Sequence, residues 1–498
     1  MFIIGPLEDQ IPLLLWHFMF KSPILLYPQY AQLFEGLQFP FANSQPVTSI
    51  FLSFFLSHFG TNSLTYLIVL TFIVNFVVTY LFFKQYKFPF FYTSVFVFSS
   101  YTWAHLGTHL ILSQIWVIPT FFMFYKKFKD NPSYKSGVFL GLLLTLIIFI
   151  SNYLGLFLLI TFLLLCVFDM RLQSIKVILV SLLTTVLLVV STLFPYIKAN
   201  YLTDSPPDAQ RLVSTATFED FFTFSSRPWY FIVPPVKNPI LGGVSTKFLD
   251  LLRGQGNFLT DDYFKAEHQA NYFGLVFLTF FGFVVFKYKN KKELWGLFAV
   301  AAVLVLLMMP PYFTVFGLKI YTPGYLMAQF LPVLRVTARI SVILHFILLL
   351  ILAKCLSENT RLPKIRLLLS VVVIITLVET YIPIKFYNEQ PPQAYAYLSR
   401  YEEGTKEFLV YPYNRTNQAL LWAPLHKQLL INPRGYKTVN FDSKEYTEGL
   451  VFTKELKVDF LLMFPDESSS EVLNLVANDT RLKLAYQDSE SILYEVVK

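Results

Sequence analysis

The sequence predicts an α-helical polytopic membrane protein of about ten transmembrane helices, with a small C-terminal α/β domain outside the membrane. Three observations carry this. Of 498 residues 55% are hydrophobic and only 14% charged, and the mean hydropathy is +0.53, outside the range of soluble globular chains. Apolar runs of about helical length recur up to residue 384, separated by short polar connections. After Tyr387 the composition turns to mixed polar and apolar. This divides the chain into a multi-pass membrane domain, 1–387, and a soluble domain, 388–498.

The apolar runs fall at 62–83, 88–103, 110–125, 136–150, 154–168, 177–195, 271–286, 294–312, 338–355 and 367–384. Gly137 to Phe168 as one helix would be about 48 Å long, too much for a hydrocarbon core of ~30 Å. The break at Ser151-Asn152-Tyr153-Leu154-Gly155 makes it a hairpin. The same reasoning makes 88–125 a hairpin with its tip at Trp103–His109.

Alternate connections differ in charge. Lys84 and Lys87; Lys126, Lys127, Lys129 and Lys135; Arg171 and Lys176; Lys287, Lys289, Lys291 and Lys292; and Lys354, Arg361, Lys364 and Arg366 occupy every second one. Cations in short loops mark the cytoplasmic side. The tips at 103–109 and 151–155, the large 197–270 loop and both termini then face outward. The net charge of +8 follows from this topology and does not imply nucleic acid. Cys166 and Cys355 lie in or at the end of apolar runs, so neither a disulfide nor a metal cluster is expected.

The opening MFIIGPLEDQ lacks a signal peptide's cationic start and reads as the tail of a helix whose beginning is missing. Residues 10–20 read as a short interfacial helix, and 47–59 as a re-entrant or interfacial segment. The 197–270 loop carries Ser205-Pro206-Pro207, Arg227-Pro228-Trp229-Tyr230 and Val233-Pro234-Pro235; a loop of that length is usually functional. In the tail, strands are expected at 407–412, 428–431, 458–464, 481–486 and 491–497, with helices at 416–426 and 469–477.

Residues capable of chemistry collect on the outer face. Glu8 and Asp9 could supply a general base or bind a divalent cation, or simply cap the following helix. His105 and His109, four apart, fit substrate hydrogen bonding, a metal pair or a polar hairpin tip. Arg335 and Arg339 share that spacing at the outer end of a span; a guanidinium there grips either an anionic ligand or a protein carboxylate such as Asp9 or Glu267. Glu267 and His268 precede the 271–286 run. Tyr413, Arg415, His426 and Arg434 form a loose set in the tail, where no nucleophile-elbow, zincin or P-loop pattern occurs. Asn414 and Asn478 open N-glycosylation patterns.

The order of these pieces resembles the GT-C class of integral membrane glycosyltransferases, in particular bacterial multi-pass members that glycosylate cell-envelope polymers. The likeness rests on Glu8-Asp9 leading to Trp16; on HLGTHLILSQIWVIP at 105–119; on Glu267 shortly before Tyr272-Phe273-Gly274; on Pro332-x-x-Arg335-x-x-x-Arg339; and on PYNRTNQALLWAPLHKQLLINPRGY followed by KVDFLLMF. The resemblance implies a polyprenyl-phosphate sugar donor, hexosyl or pentosyl transfer to an extracytoplasmic glycan or lipid, Asp9 (or Glu8) as the base, and Arg335 and Arg339 at the donor phosphate; His105, His109 and Glu267 stand beside them as substrate-binding candidates from their placement. No resident metal is implied beyond a divalent cation at the acids. Two other readings stay open. A carrier or flippase of an anionic lipid-linked glycan would place polar residues nearer the midplane. A non-catalytic envelope scaffold would leave the outer acids and arginines unexplained.

The topology is testable by single-cysteine labelling in intact cells. An impermeant reagent should miss a cysteine near Lys127 and label one in the tail; the opposite pattern inverts the orientation.

Overall fold

In the computed structural model, placement is described for residues 3–4, 47–48, 51, 55, 59, 63–106, 109, 111–168, 175–197, 218–253, 266–288, 291–315, 318–358, 365–384, 386–387, 390–402, 404–412, 415–430 and 458–497. Glu8, Asp9, the expected helix at 10–20, Pro206, Tyr413, Asn414 and Arg434 lie outside them. The chain divides into two compact units, one of Ile68–Thr192 and Thr215–Lys385, the other of Met1–Leu67, Leu193–Ser214 and Phe386–Lys498.

The first unit is helical: α1 (Ser63–Phe83), α2 (Pro89–Val97), α3 (Ser100–Leu106), α4 (Val117–Asp130), α5 (Tyr134–Ile150), α6 (Asn152–Phe168), α7 (Ile175–Ile197), α8 (Asp220–Thr223), α9 (Gly242–Arg253), α10 (Ala266–Gln269), α11 (Leu275–Lys287), α12 (Trp295–Met308), α13 (Gly324–Phe330), α14 (Ser341–Glu358) and α15 (Ile365–Thr380), with a hairpin of β1 (Tyr312–Val315) and β2 (Leu318–Tyr321). Among the described residues three stretches, Thr65–Phe83, Ile175–Thr192 and Thr337–Ser357, are long and apolar enough to cross a membrane. Four more apolar helices, α5, α6, α11 and α12, have 13 to 17 residues, or about 20–26 Å, short of a ~30 Å core. These are the helices of a membrane protein.

Two expected runs are not continuous helices. The 88–103 run breaks at Phe98-Ser99, where the Thr380 hydroxyl donates to Phe98 O (3.0 Å). The 110–125 run is helical only from Val117. Its first part is an irregular segment held by buried polar groups of α1: Asn75 Nδ2 donates to Ser113 O (2.8 Å), Asn75 Oδ1 accepts from Trp116 N (2.9 Å), and Gln114 Nε2 donates to Thr71 Oγ1 (3.0 Å).

α14 is almost wholly buried. Its Phe346 ring meets Phe82, Phe83, Phe96 and Phe122 at 5.0–5.4 Å between centroids. Small residues bring α5 and α7 together: a Cβ on Gly141 would stand 2.6 Å from Ser181 O and 2.8 Å from Thr184 Cβ. The Thr185 hydroxyl, which donates to Ser181 O (2.9 Å), also reaches Gly141 O (3.2 Å). Close backbone approach at small residues is how helices associate where lipid removes the hydrophobic drive.

Helix ends are capped from a distance. α11 begins at Gly274, whose φ is +95° and whose Cβ would meet Thr376 Cγ2 at 2.9 Å. Glu379 Oε2, on α15, accepts from Val276 N (3.3 Å), and Tyr272 Oη accepts from Leu275 N (2.9 Å). The Asn238 amide donates among Val378 O, Glu379 O and Tyr381 O at 2.8–3.1 Å, closing the C-terminal end of α15.

The tail is a five-stranded mixed sheet of β3 (Glu407–Tyr411), β4 (Leu429–Leu430), β5 (Phe460–Met463), β6 (Leu482–Gln487) and β7 (Ile492–Val496) in the order β4-β3-β5-β7-β6. β3 runs parallel to β4 and β5; β7 is antiparallel to β5 and β6. Helices occupy Thr416–Leu421, Ala423–His426 and Ser470–Ala477, close to the expected elements. Leu409, Leu461, Met463, Val472 and Val476 share a core.

The Gly141 contact gives a test. Gly141→Leu should force α5 and α7 apart and cost on the order of 1–3 kcal/mol, the usual penalty for overpacking. Gly282→Leu, where nothing lies within 4 Å of the added Cβ, should stay within about 0.5 kcal/mol. Thermal unfolding in detergent reads both.

Candidate functional site

At the entry to α14 the backbone does not run as one regular helix. Pro332–Leu334 and Thr337–Ile340 are 3-10 turns, separated by Val336 at φ −93°, ψ 70°. The four-residue spacing of Arg335 and Arg339 therefore does not align them on one helical face; of the two expected kinds of partner, an anionic ligand or a protein carboxylate, each meets a carboxylate. Arg335 NH1 binds Asp220 Oδ2 (3.1 Å), with its guanidinium 6.0 Å from the Phe224 ring centroid. Arg339 is 8% exposed, and its NH2 binds Glu267 Oε1 (2.8 Å).

Around the second pair the structure gathers residues from four places in the sequence. Arg339 lies over the Tyr153 ring, 4.5 Å from its centroid. His109 Nε2 stands 3.9 Å from Glu267 Oε1, too far for a hydrogen bond. His109 N donates to His105 O (2.9 Å), which keeps the turn of α3 going and sets the two imidazoles 5.5 Å apart. His105 lies against Tyr101, with ring centroids 4.3 Å apart. Four sequence-derived candidates, His105, His109, Glu267 and Arg339, thus share one site. Arg335 belongs to a separate ion pair, and Glu8 and Asp9 lie outside the described residues.

The backbone of Glu267 is held from behind. Asn271 Nδ2 donates to Glu267 O, and Asn271 Oδ1 accepts from the Ser226 hydroxyl (2.8 Å), whose own N–H donates to Met308 O (2.8 Å). His268 turns the other way: Nε2 donates to Thr223 O (2.6 Å) and the ring stacks on Tyr230 at 4.9 Å. Tyr101, Tyr153 and Asn271 are the members that sequence reasoning missed, as is Asp220 in the separate Arg335 pair. Tyr153 was visible only as part of the Ser151–Gly155 break.

Burial and charge fix the ionisation states. Burial pushes the Glu267 carboxyl up, but the Arg339 guanidinium, with the two histidines, outweighs it and holds the group down at about 2. Burial pushes His105 down to about 4, with Arg339 adding to the effect against the opposing pull of Glu267. His109 is held well below the usual imidazole range, first by burial and then by Arg339 and His105. At neutral pH the site is one anion, one cation and two neutral imidazoles. His105 Nδ1–H donates to Tyr101 O (2.9 Å), so Nε2 is an acceptor. Nε2 of His105, Oη of Tyr101 and Nε of Arg339 are buried without a hydrogen-bond partner. A buried acceptor, a hydroxyl and a cationic donor left unsatisfied side by side suit a polar, partly anionic ligand.

Among the described residues no group of three His, Cys, Asp or Glu is placed to hold a metal ion. In the tail, His426 is structural: Nε2 donates to Ala419 O and Nδ1 accepts from Gln428 N, each at 3.0 Å. Arg415 pairs with Glu467.

No protein-family model matches the chain, and no curated protein matches it in sequence. Solved structures do. The arabinofuranosyltransferase AftD from Mycobacteria aligns over 99% of this chain with a TM-score of 0.51 at 12% identity, and this chain spans 40% of that protein. ArnT from Cupriavidus metallidurans, solved with undecaprenyl phosphate, aligns over 99% of this chain and 94% of its own length with a TM-score of 0.39 at 11% identity. The resemblance to GT-C glycosyltransferases that the sequence motifs carried is matched by structural similarity over nearly the whole chain.

Proposed function

We propose that the chain is a membrane glycosyltransferase that moves a sugar from a polyprenyl-phosphate donor to a cell-envelope glycan or lipid on the outer face. The observation that supports it is Arg339: a buried guanidinium whose Nε–H is unpaired, held by Glu267 beside two neutral imidazoles, on a fold similar to that of an arabinofuranosyltransferase.

In this reading the acceptor hydroxyl loses its proton to Asp9 as its oxygen attacks C1 of the donor sugar. The bond from C1 to the phosphate oxygen breaks, and the polyprenyl phosphate leaves with the electron pair. Charge grows on the leaving phosphate, where a fixed cation stabilises the transition state most. Arg339 meets that charge through Nε–H while NH2 stays on Glu267, since a guanidinium offers five donors in one plane. Glu267 keeps the guanidinium aimed. His105 Nε2 and Tyr101 Oη take sugar hydroxyls. Arg335, engaged with Asp220, serves at the rim.

The primary test is incorporation of labelled sugar from polyprenyl-phosphate donors into membranes containing the protein. Asp9→Asn should lower the rate by ~10²–10⁴-fold with donor binding little changed. Arg339→Ala should weaken donor binding, with Lys rescuing only part because it lacks the fork; Arg335→Ala should weaken it less. Donor retention without any new glycoside bond would instead fit a carrier.

The ionisation states give a second test. His105 has a folded-state value of about 4 against ~6.5 in an unfolded chain. Its neutral form contributes stability that is fully present above pH 6.5 and is lost as pH falls toward 4. The melting temperature in detergent should hold from pH 8 to 6.5 and decline below that. His105→Asn should make the decline shallower.

A further inference from the structure

α2 and α15 pack side by side and start at the same end, and a cavity of about 480 Å³ opens between them there. Arg366, Leu369, Val373 and Ile374 line it from α15, Phe90 and Phe91 from α2. On α15 the lining positions 366, 369, 370, 373 and 374 follow the i, i+3, i+4, i+7, i+8 stripe of one helix face. The stripe runs about 12 Å along the axis at 1.5 Å per residue. Phe90, 62% exposed, forms an outer wall and leans on Tyr80 at 4.8 Å; Phe91 is buried beneath. The Ser370 hydroxyl donates back to Arg366 O (3.0 Å), and apart from Ser94 the remaining lining past the mouth is apolar.

The mouth is cationic. None of the ion pairs among the described residues involves Arg366. Neither α2 nor α15 has an acid in its first turn, so both positive helix ends stand unneutralised beside the guanidinium. Lys87 precedes the mouth, its ammonium donating to Ser357 O (3.0 Å). The far end of the same helix pair differs: the cavity there is walled by Phe98, Trp103, Leu377 and Tyr381, with no cation in its lining.

We infer that this groove is a binding site for one anionic phospholipid of the surrounding bilayer, with the headgroup phosphate at Arg366 and an acyl chain along Leu369, Val373 and Ile374. An apolar groove of this size between two apolar helices fits a hydrocarbon chain. The guanidinium in the lining at one end selects the sign of the headgroup and its direction. The site depends on membrane embedding alone and stands whether or not the chain transfers sugar.

The test is lipid retention. The full chain is purified from nanodiscs holding phosphatidylglycerol and phosphatidylcholine in equal amounts, and bound lipid is counted by native mass spectrometry. A cation at the membrane surface is worth ~1 kcal/mol toward anionic lipid, so phosphatidylglycerol should be enriched about fivefold. Arg366→Gln should bring the ratio close to one, and Arg366→Lys should keep most of the enrichment. Val373→Trp, which fills the slot, should reduce retention of both lipids. Lys135→Gln, removing an exposed cation elsewhere, should change nothing. Equal ratios in the wild-type chain and Arg366→Gln, or undiminished retention in Val373→Trp, overturn the proposal.

Discussion

Inside a bilayer every backbone N–H and C=O needs a partner from the protein, because lipid offers none. Long helices meet this by themselves; helices of 13 to 17 residues are shorter than a ~30 Å core and need partners for their free ends. Here side chains far away in sequence close them. Asn75 holds the segment that leads into α4, Glu379 and Tyr272 close the start of α11, and Asn238 closes the end of α15. These links fix where each helix stops, and the stops position the candidate site. Its residues stand on a hairpin tip, a second tip at Tyr153, the turn before α11 and the irregular entry to α14.

Burial in the protein governs the charges as well. Arg339 and Glu267 are each 8% exposed. Taking both out of water costs several kcal/mol per ion, which their attraction offsets only with good geometry and further hydrogen bonds. The pair adds little net stability, yet removing one partner would strand the other. Such an arrangement is expensive as scaffolding and, under the proposed transfer reaction, useful as chemistry, because a fixed cation would stand ready for the leaving anion. The neighbouring histidines stay neutral for the same reason that the pair stays charged: a third or fourth charge in that space has no counter-ion.

Much of the architecture was legible. The break at Ser151–Gly155 gave the α5–α6 hairpin, and short apolar runs such as EFLVYP and VDFLLMF gave the central strands of the tail. Four candidates meet because charge patterning puts polar residues at one set of span ends. What failed was local continuity. The apolar letters of 110–116 look helical, but the choice is made by Asn75 and Thr71, some forty residues upstream. Arg335 and Arg339 look paired by spacing, but the turn at Val336 sends one to Asp220. Tyr101 and Tyr153 carry no signal in a chain with 30 tyrosines; only the fold shows that they flank the ion pair.

The cap on α11 also bears on how the chain is assembled. Gly274 and Val276 leave the ribosome about a hundred residues before Glu379, which at 5–20 residues per second is a delay on the order of 5–20 s. During that interval α11 has its Tyr272 partner but not its carboxylate, so one N-terminal amide waits for water or a transient donor oxygen. Asn75, by contrast, is made before the segment it fastens. The amino-terminal helices can therefore lock as they emerge, whereas α11 settles only once α15 arrives.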